Sequence, residues 1–342
     1  MSHNIKDEKC VYSLNEEMWH RLGFVSKVPQ KAKEVMTNSP FDGGFRVELR
    51  QATVTLNGIP TPTNYYAIVR VASPADPKEV VFDVCTERYH PLQPMDVCES
   101  FDQWVNQPVE TLAFLGQGEE MFISWKLPEF EITKNDFVRL FGVVRVGYTT
   151  MKSARLFTAI HRPVCENTVV MAEGWAVENT TEDGAGYVYK GKASNANLLE
   201  HLGYWMGHIE AKAEREVATL KEFLTTLATT PIVSDDEAKV LLYTAYPDKA
   251  NDSANFPVQL RDKRNAEKTA ANESIAEIRN GIFRLWQGAG TAISRDRWGL
   301  LNATSEYFNH YQPSKKPIAY SVMFGPRYKN ILAMVETLAG KR

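Results

Sequence analysis

The stretch RLFGVVRVGYTTMKSARLFTAIHRPVCENT, Arg139 to Thr168, decides how this chain reads. Val143, Val144 and Val146, then Leu156, Phe157 and Ile160, are β-branched or bulky residues at alternating spacing. They predict two strands, with Gly147 to Ser153 as the loop between them. No Asp or Glu occurs from Phe137 to Cys165, while Arg139, Arg145, Lys152, Arg155 and Arg162 are interleaved with Phe141, Tyr148 and Phe157. An extended nucleic-acid strand needs cations for its phosphates and flat rings for its bases. The pattern therefore points to a nucleic-acid interface on a sheet. The other reading is a sheet whose arginines are solvated or paired with acids from elsewhere in the chain.

Working outward from that stretch, the flanks carry complementary charge. Asp76 to Glu129 contains 11 acids against Lys78, Arg88 and Lys126, a local charge of −8 in a chain whose net charge is only −3. This is no generally basic coat protein, so a nucleic acid would occupy a defined groove. A second acid-free segment lies between Glu306 and Glu336. It sets Lys315, Lys316, Arg327 and Lys329 among Tyr307, Phe308, Tyr311, Tyr320, Phe324 and Tyr328.

The chain divides into three regions. Residues 1–40 are polar and irregular around Met18 to Gly23. Residues 41–194 are β-rich: Phe45 to Leu56, Tyr65 to Val71 and Val80 to Cys85 alternate like strands of an antiparallel meander, with a turn at Asn57-Gly58. Pro94 opens a helix through Trp104, and Val109 to Phe114 and Glu120 to Trp125 are further strands joined by Gly116-Gln117-Gly118. Residues 195–342 are helical. Long helices are expected from Asn195 to Leu227 and from Arg261 to Trp286, a shorter one starts at the capping box of Ser234, and final helices cover Trp298 to Asn309 and Arg327 to Leu338. The fold class is α+β, an antiparallel β-rich N-terminal half with a mainly helical C-terminal half.

Tests for chemistry come out negative. Gly186 to Ala193 (GYVYKGKA) nearly spells a phosphate loop, but Ala193 lacks the hydroxyl that would hold Mg²⁺ and no buried strand precedes it, so a hairpin or loop is expected there. His201 and His208 share a helix face two turns apart, too far to hold one metal unaided. Cys10, Cys85, Cys98 and Cys165 form no CxxC pair, and Cys85 and Cys165 read as buried thiols. No catalytic constellation and no cofactor is indicated, so the chain reads as a non-enzyme. It lacks an apolar leader and any run of 18 apolar residues, which predicts a cytoplasmic protein without a membrane partner.

Four stretches in order resemble the phage/plasmid-like protein family, a domain-of-unknown-function family of bacteriophages, plasmids and prophages. They are Trp19 to Gly23, Arg88 to Gln93, Arg162 to Thr168 and Arg297 to Tyr307. Relatives carry an Asn-Ser-His-Asp-Gly-Ser-like turn where this chain has Gly147 to Ser153, so a role resting on that His-Asp pair does not transfer. The resemblance implies a mobile-element setting, with the host cytoplasm as location if the protein is phage-encoded.

Together these readings lead to an expectation of a phage DNA-metabolism protein that binds single-stranded DNA, of strand-annealing recombinase type. The site is expected at Arg139, Arg145, Tyr148, Lys152, Arg155, Arg162, Lys315, Lys316, Arg327 and Lys329. Homo-oligomers, rings or filaments, are expected from contact between acidic and basic faces, supplemented by an apolar face at Trp205-Met206. The alternative is a protein that binds a host or phage protein through its acidic region.

Overall fold

The computed structural model describes residues 11–15, 23–38, 41, 44–73, 77–134, 136–150, 154–162, 167–169, 189–191, 197–249, 258–290, 294–311 and 326–340. At 157, 159–162, 167–169, 189–191, 258–264, 326–329 and a few further helix positions only the backbone is described. The chain is α+β, with strands gathered in its N-terminal half and helices in its C-terminal half. By contacts it forms two compact units, each drawing on separated parts of the chain: residues 1–129, 139–159 and 175–217, and residues 130–138, 160–174 and 218–342.

The larger sheet has nine strands. Along it run β11 (Asn167–Val169), β10 (Ala154–Arg162), β9 (Asp136–Gly147), β7 (Glu120–Lys126), β6 (Val109–Leu115), β1 (Val11–Leu14) and β2 (Phe24–Ser26), with β12 (Tyr189–Gly191) on β10 and β8 (Phe130–Thr133) on β9. The expectation that residues 1–40 are irregular is corrected here. β1 is buried along its whole length, pairs antiparallel with β6 and parallel with β2, and α1 (Ala32–Thr37) follows. Short strands of this kind, cut by polar residues, carry too little period-2 signal to be read from sequence alone.

β6, β7 and the second half of β9 from Gly142 are buried on both faces apart from Glu110 and Lys126, and most of their side chains are apolar. Trp125 lies flat across β9 at Gly142, where an added Cβ would come within 2.1 Å of the ring, so only glycine fits. α2 (Pro94–Trp104) begins at Pro94 as expected and packs Phe101 against Trp125, with ring centroids 5.6 Å apart. Its Asp102 accepts hydrogen bonds from the Ala32 and Lys33 amides at 2.7 and 2.9 Å, capping α1 from a neighbouring helix.

A separate three-stranded sheet has the order β3 (Val47–Leu56), β4 (Ile59–Arg70), β5 (Val80–Cys85). Asn57 and Gly58, with φ of 52° and 80°, make the tight two-residue turn that such a hairpin requires. β4 starts at Ile59, six residues before the expected Tyr65. Gln93 anchors the root of this sheet: its amide nitrogen donates to the Val47 carbonyl at 2.9 Å and its amide oxygen accepts from the Val47 N–H at 3.0 Å. β5 pairs only with Tyr66 to Arg70, which leaves the far end of the β3–β4 hairpin as a two-stranded arm.

The helices are α3 (Leu198–Thr229), α4 (Asp235–Ala245), α5 (Val258–Arg284), α6 (Arg297–Glu306) and α7 (Pro326–Leu338); α5 and α6 each end in a wider π-type turn. Ser234 caps α4 as expected, its Oγ accepting from the Glu237 N–H. In the second unit α6 is the centre, buried from Trp298 through Glu306 although Asn302, Thr304, Ser305 and Glu306 are polar. Asn302 and Thr304 donate back to the Trp298 and Leu300 carbonyls at 3.0 and 2.9 Å. The Trp298 indole N–H donates to buried Asp136 at 2.9 Å, tying α6 to the β8–β9 hairpin within that unit. Among the described residues no helix is long and apolar enough to cross a membrane.

Removing the indole donor takes a hydrogen bond from a buried carboxylate, which costs about 1–3 kcal/mol. Trp298→Phe should therefore unfold at a lower urea midpoint than the parent. A midpoint identical to the parent's would show that the Asp136 contact does not support the unit.

Candidate nucleic-acid interface

The acid-free stretch becomes β9 and β10, as the alternation predicts, but its charges are distributed differently from the expectation. Arg145 is a correction. Its guanidinium is ion-paired with Glu120, and the two side chains are only 7% and 0% exposed. β9 lies against β7 with Phe122 opposite Arg145 and Glu120 opposite Gly147, so the acid stands two residues along the neighbouring strand. A cation drawn into a sheet interior needs a partner there, and β7 supplies it. The stretch is free of acids in sequence because its acid comes from across the sheet.

Tyr148 is the second correction. It is 0% exposed, with Phe45 and Phe82 around its ring at 5.9 and 6.3 Å, and its hydroxyl donates to Met121 Sδ at 3.8 Å. Burial pushes its pKa well above the ordinary phenol value, and does the same to the neighbouring Cys98 thiol. No base can stack on a ring in that position. Thr150, just beyond, is held by Asp83, which accepts from its N–H at 2.8 Å and from its hydroxyl. Burial raises the Asp83 pKa, but those bonds outweigh it and the net shift is downward.

Arg139 is half-buried and paired with Glu129 at 3.1 Å, a carboxylate that Lys126 also approaches at 3.7 Å. Arg155 is half-buried on β10, directly opposite Lys190 of β12. Arg162 stands opposite Asn167, and Arg327 and Lys329 fall in the first turn of α7; for these three only the backbone is described. Lys152, Lys315, Lys316 and Lys192 lie outside the described residues, as do Trp19, His20 and Cys165. Cys85 and Cys98 are free, buried thiols.

Lys190 was missed by sequence reading. Gly186 to Ala193 invites comparison with a phosphate loop, yet Tyr189 to Gly191 is a strand paired with Ala154 to Leu156. The alternation Tyr187, Tyr189 against Val188, Lys190, Lys192 is a period-2 signal that could have found it.

Most carboxylates of the acidic region have partners within the chain, Glu120 in the interior and Glu79, Glu99 and Glu129 in pairs at the surface. Glu79 pairs with Arg50, Glu99 with Lys33, Glu120 with Arg145 and Glu129 with Arg139, while Asp83 holds Thr150, Asp102 caps α1 and Glu119 accepts from the Gln117 amide. The charge basis for head-to-tail contact loses these carboxylates. Of the Trp205-Met206 face, Met206 is core at 0% exposed, while Trp205 is half-buried. His201 is exposed and His208 half-buried, its ring stacked on Tyr204 at 6.1 Å. Among the described residues no three His, Cys, Asp or Glu side chains are grouped to hold a metal.

Residues 81–182 match a family model described as a domain of unknown function (DUF932), a span running from β5 through β11 and including Arg139, Arg145 and Arg155. No curated protein and no solved structure matches the chain.

Arg145→Ala strips buried Glu120 of this cation, and breaking a buried pair costs about 3–5 kcal/mol. Arg139→Ala opens a surface pair worth no more than about 1 kcal/mol. Denaturation of the two variants side by side should place Arg145→Ala far below Arg139→Ala. Equal midpoints would contradict the burial described.

Proposed function

We propose that this chain is a non-enzymatic DNA-metabolism protein of a phage or related mobile element that binds single-stranded DNA and works as a homo-oligomer. Strand annealing is the activity this make-up suits. The observation that carries the reading is Arg155 opposite Lys190 at the margin of the nine-stranded sheet. The register sets two cationic residue types at paired positions, and a phosphate there could accept charge-assisted hydrogen bonds from both. Phe157, two positions along β10 from Arg155, sets an aromatic residue type at a position of the same alternation as the cation, the interleaving that a single strand requires. The mobile-element setting rests on the resemblance of the four sequence stretches. The match of residues 81–182 to a domain of unknown function is compatible with it.

The rival reading, docking of a host or phage protein on the acidic region, is weakened by the internal use of those carboxylates. It remains the outcome to watch in a DNA-free pull-down.

Fluorescence anisotropy with a labelled oligonucleotide tests the proposal. The double reversal Arg155→Glu, Lys190→Glu should abolish binding while the protein keeps its circular dichroism spectrum. The milder Arg155→Ala, Lys190→Ala removes two phosphate contacts and should flatten the log–log salt slope by about 1.4, at about 0.7 per contact for a single strand. Binding by the folded double-Glu protein at parental affinity would overturn the assignment of the site.

A further inference from the structure

The β3–β4 arm has no place in the reading above. From Gln51 to Val69 the chain contains no Asp, Glu, Lys or Arg. Burial fades along the hairpin from Val47, Ile68, Val69 and Arg70 at its root to exposure on both strands near the tip. One face of the tip is apolar. Val54 opposes Thr61 and Leu56 opposes Ile59, with Val54, Leu56 and Ile59 exposed to 46%, 57% and 67%. An uncharged, apolar hairpin standing out of a protein is a surface that seeks a partner.

The two edges of the arm are not equivalent. In a two-residue hairpin the pair flanking the turn, Leu56 and Ile59, exchanges hydrogen bonds, and the next pair does not. Pro60 and Pro62 oppose Thr55 and Thr53, so both prolines occupy non-hydrogen-bonded positions whose nitrogens face outward. An outward proline offers no donor, and the β4 edge is closed to another strand. Thr53 and Thr55 occupy the matching positions of β3, and their N–H and C=O groups point outward on the open side.

We infer that the β3 edge is a self-association site, at which Thr53-Val54-Thr55 pairs antiparallel with the same residues of a second copy across a two-fold axis. In this register Val54 meets Val54 of the other copy at a non-hydrogen-bonded position. Thr53 and Thr55 each exchange backbone hydrogen bonds with the other copy's Thr55 and Thr53. The sequence around Val54 reads the same in both directions, which is what an isologous contact demands. Charge argues for the same occupant. The arm has no charge to attract a charged partner, and a second arm is equally uncharged. Pairing would fuse two hairpins into a four-stranded sheet whose Val54, Leu56 and Ile59 faces become continuous, and Thr–Thr cross-strand pairs would line the other face. The contact specifies the self-association in the proposed function and does not rest on oligonucleotide binding.

The test uses the full chain and reads mass. Val54→Cys places two sulfurs across a close non-hydrogen-bonded pair, Cα atoms about 4.5 Å apart, within the range a disulfide spans. Mild oxidation should crosslink it quantitatively to a dimer, while Thr61→Cys, on the closed side, should stay uncrosslinked. Thr55→Pro copies onto β3 the block already present on β4, and light scattering should show the mass of the assembly falling by half. Oligonucleotide binding measured on the same samples separates this contact from the nucleic-acid site: crosslinking without binding upholds the arm and sinks the DNA reading. Failure of Val54→Cys to crosslink, or an unchanged mass for folded Thr55→Pro, would overturn the inference, as would capture of the arm by a different protein in place of a second copy.

Discussion

Arg145 and Glu120 form an ion pair across adjacent strands, and both side chains are almost wholly shielded from water. Two charges are tolerated in a sheet interior only as a pair held in good geometry, because either one alone would have to be desolvated without return. The pair therefore ties the register of β9 on β7 to chemistry. A slip of one residue would send Arg145 to the opposite face and strand both charges. Around this pair β9 carries Gly142 under the Trp125 ring, and the chain continues to Tyr148 in its aromatic cage. The strand that looks in sequence like a display of cations is the part of the sheet whose alignment is most tightly specified.

This relation explains which parts of the chain could be read in advance. The hairpin at Asn57-Gly58, the helix opened by Pro94 and the cap at Ser234 were legible because each depends on neighbours a few residues away. The fate of Arg145 was not, since its partner lies 25 residues upstream and only strand pairing brings them together. Tyr148 misled for a similar reason. A tyrosine beside arginines reads as a stacking surface, whereas Phe82 of β5 and Phe45, just ahead of β3, enclose it. Lys190 was passed over because Gly186 to Ala193 was expected to be a hairpin or loop with no role, whereas Tyr189 to Gly191 is a strand paired with β10.

Two of the stretches that suggested a family, Arg88 to Gln93 and Arg297 to Tyr307, turn out to be joints of the fold. Gln93 grips both backbone groups of Val47 at the root of the small sheet, and Tyr89 is buried beside it in sequence. Trp298 reaches Asp136 at the heart of the second unit, and Asp296 caps the same helix by accepting from the Gly299 N–H at 2.7 Å. Side chains that satisfy buried backbone or carboxylate groups are hard to replace, because each substitution leaves a polar atom without its bond. Recognition of such a chain from its sequence is thus recognition of its architecture, and function must be sought in less constrained places such as the sheet margin and the arm.

The two prolines on β4 have a consequence best put in the language of polymer chemistry. A hairpin with two open edges is a difunctional monomer: each addition regenerates a free end, and growth continues into a fibre. Pro60 and Pro62 cap one end of that chemistry, leaving the arm monofunctional. A monofunctional unit reacts once and stops. On the pairing inferred for the β3 edge, the arm would add one copy of itself, and the reaction would terminate at the pair.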